Sequence, residues 1–197
     1  MDTIVDANHP LSSARLEVEN GISGPTNVSI VTGGVAAGVI VRDTSVVVVD
    51  GRTISLPSRL EDQSRLIVLS GDVACSDDSC LASDPAHTVY LSDESALEVH
   101  GGFSEPPYIE LRDDSTVSFH VHDLSIQHFS THEYAIAGTL RDGTNLDALV
   151  RIDGLPSGRV SLHEIPEPAS GWILAFMIVL AIICRWDFSI QVWESPT

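Results

Sequence analysis

Hydrophobic and polar residues alternate over short stretches of this chain, and the same phrase introduces four of them. The phrase is an aliphatic residue, any residue, Asp, any residue and Ser, followed by an alternating run that usually ends near Gly. Its copies occupy residues 41–51, 60–71, 91–102 and 111–121. Alternation with a period of two is typical of β-strands that bury one face. The pattern therefore predicts an all-β body.

The spacing of the phrase indicates how those strands are arranged. Its serines fall at positions 45, 64, 95 and 115, so that successive steps are 19, 31 and 20 residues. The long step contains a polar insert around Cys75 and Cys80, as expected of a surface loop on a repeat protein. A repeat of this length predicts a short parallel β-helix, or β-solenoid, whose coils stack about 4.8 Å apart. We place the solenoid repeats at residues 1–130 and terminal capping strands at residues 131–163.

The corners between the predicted strands have their own residue types. The Asp-x-Ser step can supply side-chain oxygens to the backbone at one corner, and Gly allows positive φ at the next. An antiparallel β-sandwich is the alternative fold, in which the Asp-Gly and Gly-Gly pairs would form hairpin turns.

The only long uncharged apolar run lies at residues 171–184. Counted from Ala169 to Cys184 it has 16 residues, just under the roughly 17–25 of a membrane-spanning helix. Physical chemistry alone leaves open a marginal transmembrane helix or a hydrophobic helix packed on the body. We predict a Pro-Glu-Pro linker at residues 164–170, a transmembrane or sorting helix at 171–185 and a polar tail at 186–197.

Pro166, Glu167 and Pro168, the apolar run and Arg185 stand in the same order as the parts of the PEP-CTERM sorting signal, which they resemble. In that family the tail holds an exported bacterial protein in the membrane until a dedicated protease, an exosortase, cuts near the triplet. The resemblance implies that the membrane and an exosortase-like protease are partners. It also implies a final location at the surface of, or outside, a Gram-negative-type bacterium.

The resemblance covers residues 165–185 and has two departures from the family pattern. Arg185 stands alone where the family usually has a basic cluster, and residues 186–197 extend beyond the usual end. Residues 1–10 contain neither the basic nor the apolar region of a signal peptide. The sorting interpretation therefore requires an export signal that precedes them.

Charge and cysteine content restrict the possible partners and the possible covalent or metal chemistry. Asp and Glu number 28 against 10 Lys and Arg, for a net charge of −18. Nucleic acid is excluded as a partner, because binding phosphates needs clustered positive charge. Cys75 and Cys80 flank a polar turn and are disulfide candidates if the body is exported; two free thiols or half of a metal site are the alternatives.

Two sets of side chains are candidates for chemistry. The aspartates of the phrase could hold Ca²⁺ or act as acid/base pairs, but their recurrence in every repeat favours a structural role at the corners. These are Asp43, Asp62, Asp93 and Asp113. His120, His122 and His128 are candidate ligands for Zn²⁺ or copper, the alternative being ordinary surface residues of a strand. We predict no cofactor, with Ca²⁺ and Zn²⁺ as the alternatives.

The sequence contains no nucleophile elbow, phosphate loop or dinucleotide fingerprint, so we predict a non-enzymatic protein. The resemblance implies that this protein is exported to the cell surface or extracellular matrix. The PEP-CTERM family is associated with extracellular polysaccharide, so the resemblance adds matrix polysaccharide as an implied partner. The alternative is a polysaccharide-binding or polysaccharide-degrading β-helix module. Against it, no basic residues line up along the sequence to neutralise an acidic sugar. A plain tail-anchored protein is a third interpretation.

Overall fold

The computed structural model describes residues 2–5, 15–31, 36–55, 57–74, 88–103, 107–153 and 159–165. Within these residues the chain forms 14 β-strands and no α-helix, which confirms the all-β prediction for this part of the chain. The strands are β1 (Asp2–Val5), β2 (Leu16–Val18), β3 (Asn27–Ile30), β4 (Val39–Val41), β5 (Val46–Ser55), β6 (Ser58–Leu60), β7 (Arg65–Ala74), β8 (Thr88–Leu91), β9 (Ala96–Val99), β10 (Tyr108–Leu111), β11 (Thr116–Ser130), β12 (Glu133–Leu140), β13 (Asn145–Ile152) and β14 (Val160–Glu164).

Successive strands alternate between two parallel ladders. The odd ladder contains β1, β3, β5, β7, β9 and β11, and the even ladder contains β2, β4, β6, β8 and β10. β11, β12 and β13 then pair antiparallel, and β13 pairs with β10, which joins the ladders into one nearly closed sheet. β14 pairs with β11 at the end of the odd ladder. Because most pairs are parallel, the antiparallel sandwich does not describe these residues.

Residues at the same place in successive copies of the repeated phrase are register partners within each ladder. In the odd ladder, Val47 pairs with Leu66, Leu66 with Leu97 and Leu97 with Val117. The matching row of the even ladder is Val41, Leu60, Leu91 and Leu111. All eight side chains are buried in one continuous hydrophobic core. Burial of each contributes roughly 1.5–3 kcal/mol, so the alternation seen in the sequence is the main source of stability.

The compact unit that contains these strands ends at Ile165. The predicted sorting helix at 171–185, the Pro-Glu-Pro triplet and the polar tail lie outside the described residues, as does the insert around Cys75 and Cys80. Within the part of the chain that is described, no helix is long and apolar enough to cross a membrane.

Candidate functional site

The Asp-x-Ser step forms the corner at which the chain passes from an even strand to the next odd strand. At the first of these corners the Ser45 N–H donates to the carbonyl of Arg42 at 3.2 Å. The aspartates have positive φ: 59° at Asp43, 60° at Asp62, 59° at Asp93 and 51° at Asp113. Positive φ is uncommon for residues other than Gly, and Asp is one of the residue types enriched there.

The aspartate carboxylates join neighbouring corners through hydrogen bonds, and we call this row the aspartate ladder. The N–H of Asp43 donates to Oδ2 of Asp62 at 3.0 Å, and the N–H of Asp62 donates to Oδ2 of Asp93 at 3.2 Å. The N–H of Asp93 donates in turn to Oδ2 of Asp113 at 3.3 Å. Each of these carboxylates thus accepts a hydrogen bond from a corner N–H that has no partner in the β-ladders. These contacts support the structural interpretation of the recurring aspartates.

The serines of the corners point the other way, into the core. Ser45, Ser64, Ser95 and Ser115 have no solvent exposure. The hydroxyl of Ser95 donates to the carbonyl of Leu60 at 3.3 Å, and that of Ser115 donates to the carbonyl of Leu91 at 3.2 Å. Ser64 Oγ is buried without a hydrogen-bond partner. Ser95 and Ser115 therefore each tie their corner to the end of the even strand in the preceding repeat.

An open groove of about 400 Å³ runs along the aspartate ladder. Its lining residues are Asn20, Asp43, Thr44, Asp62, Gln63, Asp93 and Glu94. The aspartates are bonded to backbone N–H groups, and Oε2 of Glu94 accepts from Nε2 of Gln63 at 2.9 Å. The described residues contain no group of three or more His, Cys, Asp or Glu that could hold a metal ion. The Ca²⁺ alternative therefore finds no ready ligand set here.

His120 lies in a stack of three imidazoles, which we call the histidine stack. Its ring centroid is 3.8 Å from that of His100, with the planes 12° apart, and 4.7 Å from that of His163, with the planes 17° apart. His120 and His163 are register partners in β11 and β14, and His100 directly follows β9. Parallel rings direct their nitrogens side by side rather than toward one shared ion.

The other two predicted metal ligands lie farther along β11. The Nδ1 atom of His122 is buried without a hydrogen-bond partner, and a register shift in the β11–β12 pairing follows this residue. The His128 ring makes an edge contact with Tyr134, with centroids 4.6 Å apart. His120, His122 and His128 are not assembled as a metal cluster in the described residues.

The pKa of His120 is lower than that of a free histidine. Burial is the first cause, since it removes water from the imidazolium, and charge on His100 and His163 is the next. Glu98 acts in the opposite direction, and its Oε2 lies 3.8 Å from Nε2 of His100. The environment therefore favours neutral His120.

Arg159 is a buried residue whose role the sequence pattern did not reveal. It is 5 % exposed. Its guanidinium donates to the carbonyl of Ser115 at 3.1 Å, to Oγ of Ser115 at 3.2 Å and to the carbonyl of Asp153 at 2.9 Å. Burial lowers the pKa of Arg159, and nearby aspartates partly offset this. Arg159 thereby fixes the start of β14 against the fourth corner.

The sorting residues Pro166, Glu167, Pro168 and Arg185 lie outside the described residues, together with the two disulfide candidates. No protein-family model, curated protein or solved structure matches the chain. Function is therefore inferred from the sequence and from the contacts above.

Proposed function

We propose that this chain is an exported, non-enzymatic protein of the bacterial cell surface or extracellular matrix, sorted through a PEP-CTERM-like tail. The observation that carries the proposal is the order of Pro166-Glu167-Pro168, the apolar run and Arg185. An exosortase-like protease and the membrane are the partners in sorting, and matrix polysaccharide is the partner at the final location.

We infer further that the body is a short β-solenoid, with each coil contributing one strand to each ladder. The alternation of strands between two parallel ladders supports this, and so does the equivalence of the rungs on which the repeats lie. The aspartate ladder supports it too, because one residue type repeats one contact from corner to corner. β12, β13 and β14 would then cap one end of the solenoid.

In this proposal the function of the protein is to display its folded body at the cell surface. β14 ends at Glu164, immediately before Ile165 and the Pro-Glu-Pro triplet. Proline fixes φ and disfavours helix in the residue before it, so the sequence of the triplet predicts a stiff, extended link that a protease could reach. The body would be held at the membrane by the apolar run and released or transferred by cleavage at this link.

A polysaccharide-degrading module is the second candidate. Its candidate catalytic residues are already in contact with other groups of the protein, which favours a non-enzymatic role. Such an enzyme would need Asp113, Asp114, His120 and His122 around one cleft. The Asp113 carboxylate accepts from the N–H of Asp93, and the His120 ring is packed between two other imidazoles. These contacts account for both residues without substrate.

The test is processing of the full chain behind an export leader, in a bacterium that has an exosortase and in the same strain without it. Intact mass and C-terminal sequencing should place the mature C-terminus near residues 166–168 in the first strain alone. Replacing all three residues of the triplet by Ala should prevent the cut, whereas Pro156→Ala, a proline outside the triplet, should not. An uncut C-terminus at Thr197 in both strains would instead favour a plain tail anchor.

A further inference from the structure

A small cavity lies on the outer face of the even ladder, and it shares no lining residue with the groove along the aspartate ladder. It has a volume of about 160 Å³ and is lined by Arg15, Ile40, Pro57, Ser58, Arg59 and Tyr90. Ile40 pairs with Arg59 and Arg59 with Tyr90, so these three side chains lie on one line across β4, β6 and β8. We call this cavity the arginine cavity.

The charged residues in the lining of the arginine cavity are both basic, whereas the net charge of the chain is −18. Its lining contains two guanidinium groups and no carboxylate. Nη1 of Arg59 lies 3.5 Å from Glu61, but the other oxygen of Glu61 accepts from Nε of Arg42 at 2.8 Å. One carboxylate is thus shared between two cations. Among the described residues, no carboxylate forms an ion pair with Arg15.

The remaining lining residues determine which kind of ligand the arginine cavity could hold. Ile40 is almost fully buried and, with Pro57, gives the cavity an apolar floor. Tyr90 is half-buried, and the guanidinium carbon of Arg59 stands 5.8 Å from the centre of its ring. This contact orients Arg59 while its side chain remains 57 % exposed. The hydroxyl of Ser58 accepts from the N–H of Val39 at 3.4 Å.

We propose that the arginine cavity binds a carboxylate-bearing sugar ring, that is, one residue of an acidic polysaccharide. Arg15 and Arg59 would bind the carboxylate, because the planar guanidinium matches its two oxygens. Tyr90 and the apolar floor would contact the ring. The structure thus groups basic residues that are far apart in the sequence. The proposal does not depend on how the chain is sorted, since the cavity is built entirely from the folded body.

The test is calorimetric titration of the full chain, kept in detergent, with an oligomer of glucuronate and with a neutral glucose oligomer of equal length. We expect the glucuronate oligomer to bind and the glucose oligomer to bind at least tenfold more weakly. Raising the salt concentration should weaken binding, because exposed charges are screened over about 10 Å at 0.1 M. ¹⁵N-edited chemical shifts should change at Arg59 and Tyr90.

The variants Arg15→Gln and Arg59→Gln should each reduce affinity, and the double variant should lose it at least tenfold. Arg112→Gln is the matched control, because Arg112 is an exposed arginine directly after β10 whose Nη2 pairs with Glu110 at 2.7 Å, outside the cavity. Circular dichroism establishes that each variant folds. Equal affinity for the neutral oligomer, or unchanged affinity in the double variant, would overturn the proposal. An acidic peptide that binds as tightly as glucuronate, with the same dependence on both arginines, would overturn the sugar and assign the cavity to a protein partner.

Discussion

At each corner an aspartate combines an unfavourable backbone conformation with a favourable contact. Left-handed φ costs an ordinary residue roughly 1–2 kcal/mol, and Asp is among the few side chains that adopt it readily. At Asp62, φ is 60° and the carboxylate accepts the N–H of Asp43. The short acidic side chain therefore meets both requirements of the corner, which explains why the same residue type recurs there.

Replacing Asp62 separates these two effects. Asp62→Ala should destabilise the body by about 2–3 kcal/mol, since it adds backbone strain and removes a hydrogen bond worth roughly 0.5–1.5 kcal/mol. Asp62→Gly should cost less than Ala, because Gly accepts positive φ. Asp62→Asn, which keeps an acceptor and tolerates this φ, should cost least. Urea unfolding gives the three values, and an Ala variant as stable as the Asn variant would refute the account.

β14 is held to the sheet by one neighbouring strand and by side chains near its two ends. It pairs with β11 alone within the described residues, over the five positions from Val160 to Glu164. Arg159 holds its beginning, and stacking of His163 on His120 holds its end. Because β14 leads directly into the Pro-Glu-Pro triplet, the stability of this strand bears on how the proposed cleavage link is presented.

The histidine stack should make the body less stable in acid. The folded state lowers the pKa of His120, whereas an unfolded histidine titrates near 6.5, so below that pH the unfolded state binds more protons. The contribution of His120 is therefore complete above about pH 6.5 and is lost as the pH falls toward its folded-state pKa. His100, His163 and Arg141 act in this direction, and Glu98 opposes them.

The measurement is the free energy of unfolding in urea between pH 7.5 and pH 5. We expect His120→Gln to reduce the loss of stability across this range. His132→Gln should leave it unchanged, because His132 is exposed in the turn after β11. Protection of the β14 amides from hydrogen exchange should fall with pH in the unmodified chain and less so in His120→Gln. Identical pH profiles for all three chains would exclude the stack as the cause.

For the whole molecule, the sequence was informative wherever a feature repeats. The recurrence of the corner serines, at steps of 19 and 20 residues on either side of the insert, predicted parallel strands, since residues at the same place in successive repeats become register partners. It also predicted that the aspartates are structural. The left-handed φ of Asp62 was not predicted, because Asp-x-Ser suggests a side-chain contact without specifying the backbone conformation.

Features that depend on non-repeating register could not be read from the sequence. His100, His120 and His163 meet only because β14 returns to pair with β11 after two antiparallel strands. In the arginine cavity the register of β4, β6 and β8 does repeat, but the residue types on that row, Ile40, Arg59 and Tyr90, do not, so the repeat pattern gave no signal for a site there. Local patterns determine which face of a strand is buried, whereas these sites are determined by which strands become neighbours.

The proposed solenoid makes a prediction about the whole molecule that a closed sheet does not. Deleting residues 45–63 removes 19 positions, which is one step between the corner serines, and joins Thr44 to Ser64 so that one intact Asp-x-Ser corner remains. In a solenoid, β7 then takes the place of β5 beside β3, and β8 takes the place of β6 beside β4, because the rungs are equivalent. A sheet whose stability requires closure would lose two strands and could not re-form.

We therefore expect the shortened chain to fold cooperatively, with an unchanged circular-dichroism signal per residue and a lower urea midpoint, since each coil contributes its own contacts and those with its neighbours. The control is a deletion of residues 45–54, about half a step, which removes nearly all of β5 but keeps β6. Each later strand would then fall in the opposite ladder, and this deletion should abolish folding. If the two deletions are equally disruptive, the coils are not independent units. If only the half-step deletion unfolds the chain, stability is built up coil by coil along the two ladders.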